Sequence, residues 1–327
     1  LTVKEYRVET LDTCPNCESS DFAPWVTSRD VLLENSDEDF VYARCQSCGV
    51  TFQQVRPTED TVGFFYQGDY GPYALKRRKD PPLKQLHKKL LKLTAAMTGE
   101  KRERKRIQAV YAKHLSPRNA VFLDFGCGGS LLMDDLKARY GCAAIGMDFD
   151  QNQVAAARDR GHRAYLASDE GWAQIEDASV DLAVMNHVLE HLFHPEAVLR
   201  EIHRVLKPDG AIMITVPNPD GYSAQTFKED WFGLDCPRHI ILFSPAAGER
   251  LLDRVGFDNP EILSRSVAKD IVRSKARRSG SVSAWPLDAD GIKAIQNAFL
   301  AKRQAAKGRY DQFTLIARKP ASPGLMP

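Results

Sequence analysis

The chain has 327 residues, 43% of them apolar, and a formal net charge of +2. That is enough apolar material for one full α/β domain plus a small module, and it excludes a wholly disordered protein. No apolar run approaches the ~20 residues of a membrane-spanning helix, and the opening LTVKEYRVET lacks the basic and apolar blocks of a secretory signal, so a cytoplasmic protein is expected.

In chain order, residues 1–57 come first, with short β-like pieces such as FVYARC and VTFQQV around two C-x-x-C pairs, Cys14/Cys17 and Cys45/Cys48. Each pair sets two thiolates close enough to share an ion, and two pairs make a closed tetrahedral set with no open position, which points to a structural zinc site. Gly49 suits the tight turn after the second pair. An odd total of seven cysteines argues against a disulfide framework. An iron–sulfur centre, a redox pair and unlinked buried thiols are the competing readings. A module this small needs such a staple because its core is too slight to hold alone.

Residues 58–106 follow. GFFYQGDYGPY carries Tyr66, Tyr70 and Tyr73, and residues 76–106 hold 13 Lys and Arg against 3 Asp and Glu. Leu83, Leu86, Leu90, Leu93 and Met97 recur at helical steps with lysines between them, and Pro81 and Pro82 suit the entry to such a helix. An amphipathic basic helix of this kind packs against a domain, lies on a membrane surface facing a lipid-linked substrate, or contacts nucleic acid. The absence of aromatics within the run weakens the nucleic-acid reading.

From residue 107 the pattern alternates. NAVFLDFG, CAAIGMDFD, RAYLAS, SVDLAVMNHV and AIMITVPN read as buried strands, which implies a parallel sheet covered on both faces. SLLMDDLKARY, QNQVAAARDRG, PEAVLREIHRVLK and FSPAAGERLLDRVGF read as the intervening helices. Asp150 and Ser244 are candidate caps, Pro195 and Pro245 suit first turns, and Gly161 closes its helix. Residues 265–308 form a basic, Gly- and Ser-containing insertion before a last strand in YDQFTLIARK, and 321–327 is a tail. The domain reading is therefore 1–57, 58–106, 107–320 and a tail.

Between the first strand and its helix lies Asp124-Phe-Gly-Cys-Gly-Gly-Ser. Glycines there admit a ligand close to the backbone, at a helix end rich in free N–H groups. Asp148 ends the next strand roughly 20 residues on, where an acid accepts ribose hydroxyls; Asp150 is the weaker candidate. A nicotinamide-dinucleotide reading would require a second nucleotide-binding half, and aromatic, histidine-bearing loops stand there instead.

The stretches LDFGCGGSLL, GMDFD and VDLAVMNHVLEHLFHPEAVLREIHRVLKPDGAIMITVPNP together resemble the class I S-adenosylmethionine (SAM)-dependent methyltransferases, over residues 107–265 and a final strand near 311–318. GLDCPRHIILFSP resembles the branch that includes quinone and sugar methyltransferases. The resemblance implies a seven-stranded Rossmann-like sheet. It further implies that Asp124, Gly126, Gly128, Asp148, Phe149, Ser168, Asp169, Asn186 and His187 contact SAM. One departure is visible: relatives read Gly-x-Gly-x-Gly, whereas this chain has Ser130 at or beside the last glycine position.

Methyl transfer to a hydroxyl or an acidic carbon needs a base. His187, Glu190, His191, His194 and His239 are the candidates, with His239, in Pro237-Arg238-His239, favoured and His191 read chiefly as structural. Arg238 is expected to hold an acidic group of the acceptor, with an ion pair inside its loop as the alternative. Tyr66 and Tyr70 are expected to line the acceptor pocket, with interdomain packing as theirs. Similar four-cysteine modules precede sugar C-methyltransferases and an rRNA guanine methyltransferase family, so the module leaves the acceptor open. The expected activity is methylation, at oxygen, of a small-molecule, sugar or lipid-linked glycan acceptor, with SAM as donor and one structural zinc; for residues 76–106 domain packing is the leading reading and peripheral contact at the inner membrane face the alternative. The competing expectations are an RNA base methyltransferase and a non-catalytic SAM-binding scaffold.

Overall fold

The computed structural model describes residues 6–67, 100–265, 267–280 and 291–321. Tyr70, Tyr73 and the basic run from 76 to 99 lie outside the described residues.

Three sheets organise these residues. The short β1 (Val8–Thr10) pairs antiparallel with β5 (Val55–Pro57). β2 (Phe22–Ser28), β3 (Phe40–Cys45) and β4 (Thr51–Gln53) form an antiparallel sheet around the cysteine pairs. Helix α1 (Glu100–Leu115) then leads into the large sheet.

That sheet has seven strands: β6 (Val121–Phe125), β7 (Ala143–Asp148), β8 (Arg163–Leu166), β9 (Val180–Asn186), β10 (Leu206–Pro217), β12 (Asp258–Arg265) and β13 (Gln312–Arg318). Their order is β12-β13-β10-β9-β6-β7-β8. β8, β7, β6, β9 and β10 run parallel, and β13 is antiparallel to both of its neighbours. The apolar runs read from the sequence are its strands, buried in β6, β7, β9 and β10, whereas β8, at the sheet edge, buries only Ala164. β10 starts earlier than expected: Leu206 pairs with Val180, and a register shift absorbs the KPDG turn before Ala211.

The connecting helices are α2 (Leu131–Tyr140), α3 (Gln151–Asp159), the single turn α4 (Asp169–Trp172), α5 (Pro195–Val205), α6 (Tyr222–Phe227) and α7 (Pro245–Val255). Asp150 caps α3 by accepting from the Asn152 N–H, and Ser244 caps α7 by accepting from that of Ala247. Leu199, Ile202, Leu251 and Leu252 pack on one side of the sheet, while Leu115, Met133, Leu136 and Val154 pack on the other. The 265–308 stretch carries two helices, α8 (Ala268–Arg278) and α9 (Gly291–Ala305). Among the described residues no helix is long and apolar enough to cross a membrane.

The N-terminal module is built into the rest. A two-residue strand, β11 (Ile241–Leu242), pairs with β4 and becomes an edge of the module's sheet. Cys14, Cys45, Val50 and Phe52 share one apolar cluster with Ile240, Phe243 and Leu251.

Candidate active site

The first half of the site stands where β6 and β7 end. β6 carries Asp124 into the interior, and the chain then turns through Gly126 (φ +80). The Gly126 and Cys127 amides both donate to the Met147 carbonyl, which ties the loop to the next strand. A Cβ on Gly126 would stand 2.3 Å from Val188 Cγ2, so only glycine fits. Asp148 holds the far side of the loop, accepting from the Gly128 N–H at 2.8 Å and the Asp150 N–H at 3.0 Å.

Among the described residues, two groups in this loop lack hydrogen-bond partners. No described residue donates to the buried Asp124, and burial, with the Asp148 charge second, pushes its carboxyl up to about 8. Ser130 stands fully buried in the left-handed region (φ 54), and its Oγ has no partner. It occupies a glycine-type conformation, so the departure from Gly-x-Gly-x-Gly leaves the turn in place and adds an orphaned hydroxyl. Uncompensated buried polar groups are costly.

Past Asp148, the Phe149 ring is 53% exposed, an unusual state for Phe, and it meets Phe125 edge-on. Ser168 is engaged as the cap of α4, accepting from the Gly171 N–H, and Asp169 is exposed beside it. Asn186 is exposed at the end of β9. His187 follows in the left-handed region (φ 57), its N–H bonded to the Thr215 carbonyl. Such strain in a non-glycine residue is tolerated where the surroundings fix it, most often at functional sites.

The second half gathers three histidines around one carboxylate. Glu190 is fully buried; its Oε1 lies 3.1 Å from His187 Nδ1 and 3.9 Å from His239 Nε2, and among the described residues its Oε2 has no hydrogen-bond partner. Burial pushes Glu190 up, but the His187 hydrogen bond and the nearby histidines outweigh it and hold the carboxyl below its ordinary value. His239 donates from Nδ1 to the Gly233 carbonyl at 2.8 Å, which leaves Nε2 with its lone pair free to accept. Burial, then His191, lowers its pKa to about 4, so the ring is neutral at pH 7. His191 stacks edge-on against His239, and its Nδ1 meets the Arg238 carbonyl and the Tyr66 hydroxyl, both at 2.9 Å. His194, by contrast, is exposed beside Glu59 and apart from the cluster.

Arg238 sits differently from the expectation that it holds the acceptor. Its guanidinium is wholly buried and donates to Asp30, Asp235 and the Phe65 carbonyl. The alternative ion pair is what forms, and Asp30 extends it across to the N-terminal module. A planar five-donor fork suits such a buried crosslink. Tyr66 does reach the site, through His191. The role of Asp30 was hidden in the sequence because 208 residues separate it from Arg238.

The four cysteines converge as expected. Cys14 and Cys48 sulfurs lie 3.6 Å apart, Cys17 and Cys45 sulfurs 3.5 Å, and all four fall within 4.8 Å of one another. None is in a disulfide. A tetrahedral ion with bonds of about 2.3 Å asks for sulfurs about 3.8 Å apart, so the cluster fits one such ion. Glu18 (φ 60) and Gly49 (φ 72) take the left-handed positions that close the two knuckles.

Comparison with known proteins supplies the family. A methyltransferase-domain family profile matches residues 86–262. A protein of Mycolicibacterium smegmatis named as a probable S-adenosylmethionine-dependent methyltransferase is 30% identical over 183 residues, covering 54% of this chain and 65% of that one. A ubiquinone biosynthesis O-methyltransferase of Xanthomonas oryzae is 29% identical over 171 residues, covering 49% and 65%. One from Bradyrhizobium diazoefficiens is 31% identical over 100 residues, covering 29% and 39%. The chain thus spans less than two thirds of the length of these relatives. Among solved structures, a SAM-dependent methyltransferase from Archaeoglobus fulgidus is 18% identical with a TM-score of 0.46, covering 66% of this chain and 92% of that one. With more than half of its residues matched by that profile, the chain belongs to the methyltransferase-domain family.

Proposed function

We propose that the protein is a SAM-dependent methyltransferase acting at oxygen on a small-molecule, sugar or lipid-linked glycan acceptor. The observation that carries this reading is the orphaned Asp124 carboxyl beneath a glycine turn pinned by Asp148, inside a seven-stranded sheet of the methyltransferase family. The relatives' printed names support methyl transfer, and two of them name O-methylation.

Asp124 would take the methionine ammonium, Gly126 and Gly128 would pass beneath the ligand, Asp148 would accept the ribose hydroxyls, and the Phe149 ring would cover the adenine. Each Asp148 oxygen already accepts one N–H and has a second lone pair to offer. SAM supplies a methyl group activated on a sulfonium. The protein's share is to align the acceptor and take its proton. His239 Nε2 is the base: its tautomer is set by the Gly233 carbonyl, its ring is neutral, and the Glu190 carboxylate beside it stabilises the imidazolium that forms. His191 packs edge-on against the His239 ring, and the Tyr66 hydroxyl holds His191 in turn. The four cysteines would hold one zinc ion as a structural staple.

The test is transfer of label from methyl-tritiated SAM into fractionated host extract. Label in lipid, glycan or small molecules is expected; label in RNA would overturn the acceptor, and SAM binding with no labelled acceptor would favour a scaffold. His239→Ala is expected to abolish turnover at unchanged SAM affinity, and wild-type turnover would remove His239 as the base.

A further inference from the structure

Helix α8 carries five cations and one acid in eleven residues. Three of the cations, Lys269, Arg273 and Arg277, recur every fourth residue and so share one face, in a row about 12 Å long at 1.5 Å per residue. The helix begins at the edge of the sheet where the site lies. Asp270 accepts from the Gln312 side chain at 2.8 Å, and Gln312 pairs with Pro217 at the end of β10. Asp270 is near enough to feel the His187 charge as well as those of Lys269 and Arg273. The row thus starts near His187 and runs from the exposed Lys269 to the half-buried Arg277, which feels the charges of Asp235 and Arg238 in the loop that carries His239.

At its far end the row is braced. The Arg273 and Arg277 guanidinium carbons lie 4.3 and 4.9 Å from the centre of the Phe232 ring, and Arg277 donates to the Trp231 carbonyl. The Phe232 N–H in turn donates to Ser274 on the same helix, at 2.9 Å. Stacking on an aromatic ring fixes planar forks suited to oxyanions. Lys269 is exposed as a residue, yet partial burial of its amine and the neighbouring Arg273 and Arg265 charges, opposed by Asp270, draw it below its ordinary value. Among the described residues, no carboxylate lies within ion-pair distance of Lys269 or Arg277. Several like charges gathered in a partly desolvated setting raise the local positive potential, which a polyanion relieves. Two acids stand near the row: Asp270 acts on Lys269 and Arg273, and Asp235, already paired with Arg238, acts on Arg277. Burial raises the Asp270 pKa, and its Oδ1 has no hydrogen-bond partner among the described residues.

We infer that Lys269, Arg273 and Arg277 form the subsite for a phosphate or diphosphate group carried by the methyl acceptor, which places the acceptor among phosphorylated or diphosphate-linked molecules. The inference rests on the methyltransferase reading for what the rest of the acceptor does. It supplies the specificity: the anion docks along α8 and the group to be methylated reaches His239.

The test is calorimetric titration of inorganic pyrophosphate into the full chain with S-adenosylhomocysteine (SAH) present. SAH affinity is measured on the same samples and folding is checked by thermal melts. Saturable pyrophosphate binding is expected, weakened about tenfold by Lys269→Gln and by Arg273→Gln with SAH affinity unchanged. Lys269→Gln alters an exposed side chain and keeps the test valid if Arg273→Gln misfolds. Pyrophosphate binding that persists in Lys269→Gln, or is lost only when the lysines of 84–92 are neutralised, would overturn the subsite. SAH binding without pyrophosphate binding would overturn the subsite alone; pyrophosphate binding without SAH binding would overturn the methyltransferase reading alone. A nucleoside diphosphate and an isoprenyl diphosphate in detergent then separate a soluble source from a lipid one, the tighter ligand naming it.

Discussion

Replacing Asp124 with Asn tests the core of the cofactor site, because it removes an ionisable group at nearly constant shape. The carboxyl moves from an ordinary 3.8 to about 8 on folding. A folded pKa raised above the unfolded one means stability present below pH ~4 and lost as pH rises toward 8, since the folded state must keep a proton that the unfolded chain releases. At 1.36 kcal/mol per unit, the ceiling on this cost at pH 7 is about 4 kcal/mol. Asparagine has the same shape and no ionisation, so the ligand-free variant should be more stable at neutral pH. Half of the ceiling would raise its melting temperature by about 4 °C. The gain should vanish near pH 4, grow to pH 8 and then level off. Ligand binding should respond in the opposite sense. A bound ammonium favours ionised Asp124, so SAH affinity of the wild type should rise with pH up to about 8. The variant should bind at least tenfold more weakly near pH 8, a charged hydrogen bond being worth ~1.5–3 kcal/mol, with a flat pH profile. Melting curves and calorimetry from pH 4 to 9 decide it. A pH-independent difference in melting temperature, or wild-type SAH affinity in the variant, would refute the assignment.

Other substitutions probe the frame around the site. Gly126→Ala drives a methyl into Val188 at a left-handed position and should cost ~1–3 kcal/mol along with SAM binding; adding Val188→Ala should restore part of the stability in the same melts. Arg238→Ala strands the buried Asp30 and Asp235 carboxylates and should cost ~3–5 kcal/mol by urea unfolding; a loss under 1 kcal/mol would argue against the crosslink. Metal analysis should find about one zinc per chain. Cys48→Ser should lose it and, through the β4–β11 pairing, lower turnover more than SAM affinity.

Legibility in the sequence followed the range of each signal. Strands buried on both faces read as apolar runs, the glycine turn and Asp148 sit within one strand–helix–strand unit, and each cysteine pair is self-contained, so all of these stood out. Ser130 was visible as a departure, but its left-handed conformation and orphaned hydroxyl depend on the packing of the loop. β11 was invisible: two residues have no periodicity, and their partner lies in the module. Arg238 failed for the same reason, since a lone arginine in a loop looks the same whether its acid is a substrate or Asp30. The α8 cations blended into a basic stretch until the helix sorted them onto one face.

The β4–β11 pairing also has a consequence during synthesis. Thr51 meets Leu242, so the N-terminal module leaves the ribosome long before the strand that completes its sheet exists. At ~5–20 residues per second the nascent chain spends about 10–40 s in that state. Throughout, β4 is an open edge of the sort that invites pairing with another chain. The cysteine cluster can form in that interval from residues already made, holding the short β4 in its final shape until residues 241–242 arrive to cover it.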